Sequence, residues 1–402
     1  ALPIYVDEGC SCRSGETQSC YSGGGGTKGV GICKGGTQSC KNVGTWGDCN
    51  GEQTPKAFEL CNGKDDDCDK TTDEAIFAQL SLGAGLSCAR TPKGQSTEPG
   101  VGYCWGSNKG GRTAQGTGAG TTDYPSKIKG AKSKTLVDVA AGRGHACALT
   151  SGGNAACWGE NGAGQLGNGG SSGTVDSARA VTMPSGVRFD SIYAGEDFSC
   201  ALDTNSQAYC WGDNHHMTSN SGGILGVTYG TGVVTVPTQL QKSSLTFESL
   251  AAGRRHLCGI PTGGGILCWG VNDSGETGVD PANSPAVTTP NKVSKKTYDQ
   301  IVAGDQFSCA LQKSSNAIYC WGSTSDGRLG EGTTASGSKF SPVKVQTGAV
   351  GTIAEITAGQ DHACLRNTAG QIHCWGANDK GQLGDGTTNT HAAPIGALAS
   401  KW

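Results

Sequence analysis

An eleven-residue theme recurs along this chain and constrains its fold more than any other feature. Val139-Ala140-Ala141-Gly142-Arg143-Gly144-His145-Ala146-Cys147-Ala148-Leu149 returns as Ile192-Tyr193-Ala194-Gly195-Glu196-Asp197-Phe198-Ser199-Cys200-Ala201-Leu202. It returns again at Ala252-Gly253 with Cys258, at Ala303-Gly304 with Cys309 and at Ala358-Gly359 with Cys364, and a worn first copy runs from Ala84-Gly85 to Cys88. Each copy is followed by Cys-Trp-Gly, at Cys104, Cys157, Cys210, Cys268, Cys320 and Cys374. A third element, Gly-Gln-Leu-Gly or a relative, follows in three copies: Gly164 to Gly167, Gly327 to Gly330 and Gly381 to Gly384. Self-similarity at about 50 to 60 residues is the period of a four-stranded propeller blade.

Within a copy, the run before the first cysteine reads as one strand and Cys-Ala-Leu as the next. Cys-Trp-Gly opens a third, and runs such as Pro237-Thr238-Gln239-Leu240 or Pro342-Val343-Lys344-Val345 give a fourth. No segment holds a helical period between caps. The expected architecture is all-β: a single propeller of six repeats over 76–402, behind a small disulfide-rich segment over 1–75. These motifs resemble the regulator of chromosome condensation repeat family, whose members are β-propellers, usually of seven blades. The resemblance covers roughly residues 76–402. Six copies are countable here, so six blades are expected, unless residues before Leu80 supply a seventh.

The chain has 20 cysteines, an even number, and an oxidising compartment is the natural setting for so many. It also opens on Ala1-Leu2-Pro3, as the product of signal cleavage would. We therefore expect a secreted protein, extracellular or at the cell surface. Two residues placed symmetrically about a hairpin turn face each other across an antiparallel ladder, close enough to be bridged. In Cys147–Cys157 the midpoint is Gly152-Gly153, a natural turn. The predicted bridges are Cys88–Cys104, Cys147–Cys157, Cys200–Cys210, Cys258–Cys268, Cys309–Cys320 and Cys364–Cys374.

His145, His256 and His362 share one position of the repeat, which suggests a ring of ligands. Other copies hold Phe198 and Phe307 there, and a position that accepts phenylalanine packs a flat ring. The six tryptophans of Cys-Trp-Gly likewise read as packing between blades. His215-His216-Met217 occurs in one copy only and reads as a loop.

Residues 1–75 hold eight cysteines (Cys10, Cys12, Cys20, Cys33, Cys40, Cys49, Cys61, Cys68) among glycine, serine and threonine. So few apolar residues need staples, and the pairing among the eight stays open. The chemically specific part runs from Cys61 to Glu74 and holds six carboxylates against two lysines. Asp65, Asp67 and Asp69 alternate, so a curved loop aims all three at one centre. With a carbonyl near Thr71, and Asp73 or Glu74, they supply the oxygens that Ca2+ requires. The segment resembles a cysteine-rich metal-binding motif of secreted bacterial proteins, and also EF-hand and thrombospondin-type calcium loops. Lys70 stands where those loops have glycine, and a positive φ there strains a lysine.

A net charge of −3 and a pI near 6.2 offer no basic face, so no nucleic-acid partner is expected. No apolar run is long enough to span a bilayer as a helix. Neither a His-Glu-x-x-His zinc motif nor a catalytic constellation recurs. Gly169-Gly170-Ser171-Ser172-Gly173 matches a nucleophile elbow only by spelling, lacking the strand and helix around it. The loops after Cys-Trp-Gly differ widely in length, the arrangement of a rigid scaffold used for recognition. The family resemblance implies roles as diverse as exchange factor, light sensor and β-lactamase inhibitor, so it does not select a ligand. The expectation is a secreted, non-enzymatic module that recognises a protein or surface glycan. The alternatives are a filament or surface-layer subunit, linked by Ala1-Leu2-Pro3-Ile4-Tyr5-Val6 as an added strand, and a secreted enzyme or inhibitor using the propeller face.

Overall fold

The structure, a computed structural model, describes residues 14–42, 45–55, 68, 70, 77–92, 100–116, 120–131, 135–215, 223–227 and 232–396. The chain divides into two compact units, one of Ala1–Ala78 with Gly94–Pro99 and one of Gln79–Lys93 with Gly100–Trp402. In the first, Thr17–Cys20, Gly36–Asn42 and Thr45–Trp46 form a three-stranded antiparallel sheet. Its interior is sulfur: Cys33, Cys40 and Cys68 are buried, Cys20 is bridged to Cys49 and Cys33 to Cys68, and Cys40 is also in a disulfide.

The second unit consists of six four-stranded antiparallel sheets, each threaded in sequence order. The first blade is Gln79–Gly83, Leu86–Arg90, Gly102–Ser107 and Thr121–Lys127, and the second Leu136–Ala141, His145–Thr150, Ala155–Glu160 and Thr174–Ala180. The third is Phe189–Ala194, Phe198–Asp203, Ala208–Asp213 and Val233–Gln239, and the fourth Phe247–Ala252, His256–Pro261, Ile266–Val271 and Ala286–Ser294. Gln300–Ala303, Phe307–Gln312, Ala317–Ser323 and Ser338–Lys344 form the fifth; Ile353–Ala358, His362–Asn367, Ile372–Gly376 and His391–Gly396 form the sixth. Besides strands, the described residues form only three single-turn 3₁₀ stretches. No helix among them is long and apolar enough to cross a membrane.

All six expected bridges are present, between directly opposed cysteines of each blade's second and third strands. Cα separations of 4.0–4.1 Å place them at the narrow pairs of the ladder. Closing so short a loop is worth about 2–3 kcal/mol per bridge in the chain-entropy account. The glycine of Cys-Trp-Gly is required by conformation and space. Its φ lies between 102° and 116° in all six copies, and a Cβ on Gly159 would sit 2.5 Å from the Gly144 carbonyl oxygen.

Blades join through the same contacts repeated. Trp158, Trp211, Trp269, Trp321 and Trp375 are fully buried. Each donates its indole N–H to a carbonyl in the preceding blade's loop: Arg112, Gln165, Leu225, Glu276 and Arg328, at 2.9–3.1 Å. His145 and His256 are buried too, and each ring Nε2 lies 2.8 Å from a serine of the next blade, Ser199 and Ser308. Those hydroxyls donate onward to the Gln165 and Glu276 carbonyls, so each imidazole is the donor to its serine. Phe198 and Phe307 fill the equivalent space in other blades, and the rings are packing, as the sequence pattern implies.

Two sequence expectations change. The first copy is in phase two residues earlier than Ala84-Gly85: Gly83 is the glycine crowded against the Gly142 carbonyl, as Gly142 is against that of Gly195. Gly85 instead matches Gly144, each lying under the Cys-Trp-Gly glycine of its own blade. The outer strands also begin before their prolines. Pro125, Pro237, Pro290, Pro342 and Pro394 end a three-residue bulge opposite the blade's tryptophan, where an edge strand tolerates a missing N–H. The second blade has Ala178 at that place, and its N–H is taken by the Lys129 carbonyl of the first blade at 2.8 Å.

Candidate functional site

The axial glycines Gly83, Gly142, Gly195, Gly253, Gly304 and Gly359 bring six following residues together around one mouth: Ala84, Arg143, Glu196, Arg254, Asp305 and Gln360. Backbone bonds pass from blade to blade here, from Arg143 N–H to the Gly195 carbonyl, Glu196 to Arg254, Arg254 to Gly304 and Asp305 to Gln360. The side chains alternate in sign over the second to fifth blades. Buried Glu196 takes both Arg143 and Arg254, the latter at 2.7 Å, and Arg254 reaches Asp305 at 3.3 Å. Asp361, beside the mouth, is held by Arg328 at 2.8 Å. Burial raises the Asp305 carboxyl above the usual carboxylate range while Arg254 opposes the rise.

These residues line a cavity of about 800 Å³ to which all six blades contribute. A second hollow of about 490 Å³ around the Ser151-Gly152 turn is lined by no charged or aromatic side chain. The mouth offers paired charges, small residues and the His362 ring.

The first and sixth blades supply most of the cavity's lining. Among the described residues, four of the series that join the other blades are not continued between these two. Gly381 meets only the Thr387 carbonyl, whereas Gly164, Gly275 and Gly327 each pack against the next blade's outer strand. Gln360 N–H continues no backbone relay. His362 and Ser87 both line the cavity without the bond that His145 and His256 make. Glu355, at the position from which Asp138 and Gln300 accept the next blade's N–H, pairs instead with Arg366. Leu80, Leu82 and Ile372 are 55%, 54% and 49% exposed.

The expected calcium ligands Asp65, Asp67, Asp69, Thr71, Asp73 and Glu74 lie outside the described residues, as do His216-Met217 and Ala1–Val6. Lys70 is described, with φ 85°, the left-handed conformation in which a lysine is strained. The described residues contain no group of three or more metal-type side chains arranged around a centre.

A fourth repeated element escaped the sequence reading. Asn108, Asn161, Asn214, Asn272 and Asn378 follow Cys-Trp-Gly by one residue, and each side-chain oxygen accepts a backbone N–H in the loop beyond. Cys-Trp-Gly-x-Asn was visible in five copies; the fifth blade has Thr324 instead, which bonds the Ala335 carbonyl.

Comparison with known proteins agrees with this geometry. Models of the regulator of chromosome condensation (RCC1) repeat match residues 136–165, 189–216 and 353–382, and residues 100–149, 315–365 and 369–398. The E3 ubiquitin-protein ligase HERC2 of Homo sapiens is 30% identical over 301 residues, 73% of this chain. The chain spans only 6% of that relative's length. Human WBSCR16 superposes with a TM-score of 0.67 at 19% identity, covering 81% of this chain and 83% of that one. Prp20p from Saccharomyces cerevisiae gives 0.67 at 18%, covering 88% and 82%. The chain is a β-propeller carrying regulator of chromosome condensation repeats.

Proposed function

We propose that this chain is a non-enzymatic, exported recognition module that binds a protein partner at the mouth of its propeller. The observation that carries the reading is the cavity of about 800 Å³, whose Glu196, Asp305 and Asp361 are already paired with arginines. Paired charges leave no excess field for a polyanion, while a concave rigid mouth suits a protein surface. The structures of Prp20p support a protein partner, since one describes binding to Gsp1p and histones and another a complex with Kap60. The ligase activity of HERC2 is not carried over, because this chain matches so little of it. A bridge in every blade supports export.

The test is capture from native surface material with the full chain and with Arg143→Trp. Arg143 is more than half exposed, and Glu196 keeps Arg254 when it is replaced. Loss of capture supports the mouth; unchanged capture overturns it, and prior protease treatment of the material distinguishes protein from glycan. Calcium in the 61–74 loop is part of the same proposal, at a weak site of about 10⁻⁴–10⁻³ M. A melting temperature indifferent to chelator removes the calcium.

A further inference from the structure

We infer that the open flank between the sixth and first blades is a docking slot for an extended peptide segment of the partner protein. The slot deepens the recognition reading above and rests on it. The five closed interfaces of the same molecule say what such a flank takes. At each, the incoming element is an extended strand ending in glycine, followed by a short turn and, where histidine lies opposite, a serine. At four of them the carbonyl of that glycine, or of the residue after it, accepts the backbone N–H beyond the previous blade's axial glycine: Gly195 from Arg143, Arg254 from Glu196, Gly304 from Arg254 and Gln360 from Asp305. The serine meets the previous blade's imidazole, as Ser199 meets His145. An N–H of the strand meets a side-chain oxygen of the previous blade, as Ile192 meets Asp138 and Ile356 meets Gln300.

Among the described residues, the sixth blade presents the same three groups with no blade upon them: Gln360 N–H, the His362 ring and the Glu355 carboxylate, which a surface arginine holds in the meantime. Ile372 stands beside them, and Leu80 and Leu82 face the slot from the first blade. The slot is continuous with the mouth, because Leu82, Ser87 and His362 line the same cavity as Arg143 and Arg254. A segment that satisfies the set has a free backbone carbonyl near the axis, a hydroxyl for His362 and apolar side chains toward Leu80 and Ile372. A folded acidic or basic patch satisfies at most one member of the set, so the occupant is an extended strand of small, hydroxyl-bearing and apolar residues.

The probe is a fluorescein-labelled peptide of residues 189–202 with Cys200→Ser, the covering element of the third blade, titrated into the full chain and followed by anisotropy. Saturable binding is expected, weakened about tenfold or more by Leu82→Asp or Ile372→Asp and unchanged by Phe340→Asp at the rim. Leu82 and Ile372 are half exposed, so these variants keep their fold, which an unchanged melting temperature verifies. No saturation by about 1 mM, or binding indifferent to both substitutions, overturns the slot. Self-association of the chain that Leu82→Asp abolishes makes the occupant a second copy and overturns it equally. Partner capture that depends on Arg143 but not on Leu82 removes the slot and leaves the recognition reading standing.

Discussion

The second and third blades are bonded flank to flank, whereas among the described residues the sixth and first face each other across a cavity, although the same repeat supplies both pairs of flanks. At the closed pair His145 meets Ser199, Trp211 meets the Gln165 carbonyl and Gly142 lies against Gly195. At the open pair His362 and Ser87 line the cavity unbonded to each other, and two leucines are exposed. Sequence decides what a flank is made to hold. Where the blade stands in the arc decides whether another blade holds it.

The largest difference expected between the two regions is at the tryptophans. Trp211→Ala empties a sealed interface and should cost about 3–5 kcal/mol in chemical denaturation. The same change at half-buried Trp105 should cost about 1–2 kcal/mol. Equal losses would mean that the two flanks are equally packed.

Acid comes next. Burial alone pulls His145 down to about 4 and His256 to about 3. An unfolded histidine titrates near 6.5, so below that value the unfolded chain takes up protons that the folded chain refuses. Stability is therefore full near pH 7, falls as pH drops through 6.5 and levels off below the folded values. Each of the two accounts for about 3 kcal/mol between pH 7 and 4; partly buried His362, also lowered, accounts for less. Replacing both by phenylalanine, as Phe198 and Phe307 already stand in sister blades, should remove most of this acid lability. Glu276 runs the other way: burial pushes it up to about 7, so its contribution is lost as pH rises from 4.5 through 7. Glu276→Gln should stabilise the chain at pH 8 and not at pH 4, and a gain at both would contradict the assignment.

The disulfides should distinguish the regions less. Cys200→Ser with Cys210→Ser and Cys364→Ser with Cys374→Ser each open a short loop in one blade, and each should cost about 2–3 kcal/mol. A markedly smaller loss in the sixth blade would show that its sheet is already loosened at the open flank. The smallest and most diagnostic pair is Ser199→Ala against Ser87→Ala. The first leaves a buried imidazole N–H without an acceptor, at about 1–3 kcal/mol. The second removes a hydroxyl that no imidazole uses and should fall within about 0.5 kcal/mol of zero.

The closed region was legible in the sequence because each of its devices repeats. Cys147 and Cys157 sit symmetrically about Gly152-Gly153, and the exchange of His145 for Phe198 identifies a packed ring without coordinates. The phase of the first copy was harder, since Gly83-Ala84-Gly85 offers two glycines and only the crowding against Gly142 selects one. Asn161 and its counterparts repeat in five copies of six, but asparagine in a glycine-rich loop looks like ordinary turn chemistry. The open flank could not be read at all. Glu355, His362 and Gly381 are ordinary members of their repeat positions, and what sets them apart is that no described blade packs on them.

The outer strands carry one further consequence. Five end their bulge in proline and the second blade's spends the corresponding N–H on a neighbouring loop, so these outer strands offer no uninterrupted ladder on which another polypeptide can template itself. Crowded molecules of this protein are thereby kept from growing into sheets sideways. Loops around the perimeter are free to diverge in length and composition without opening a route to amyloid.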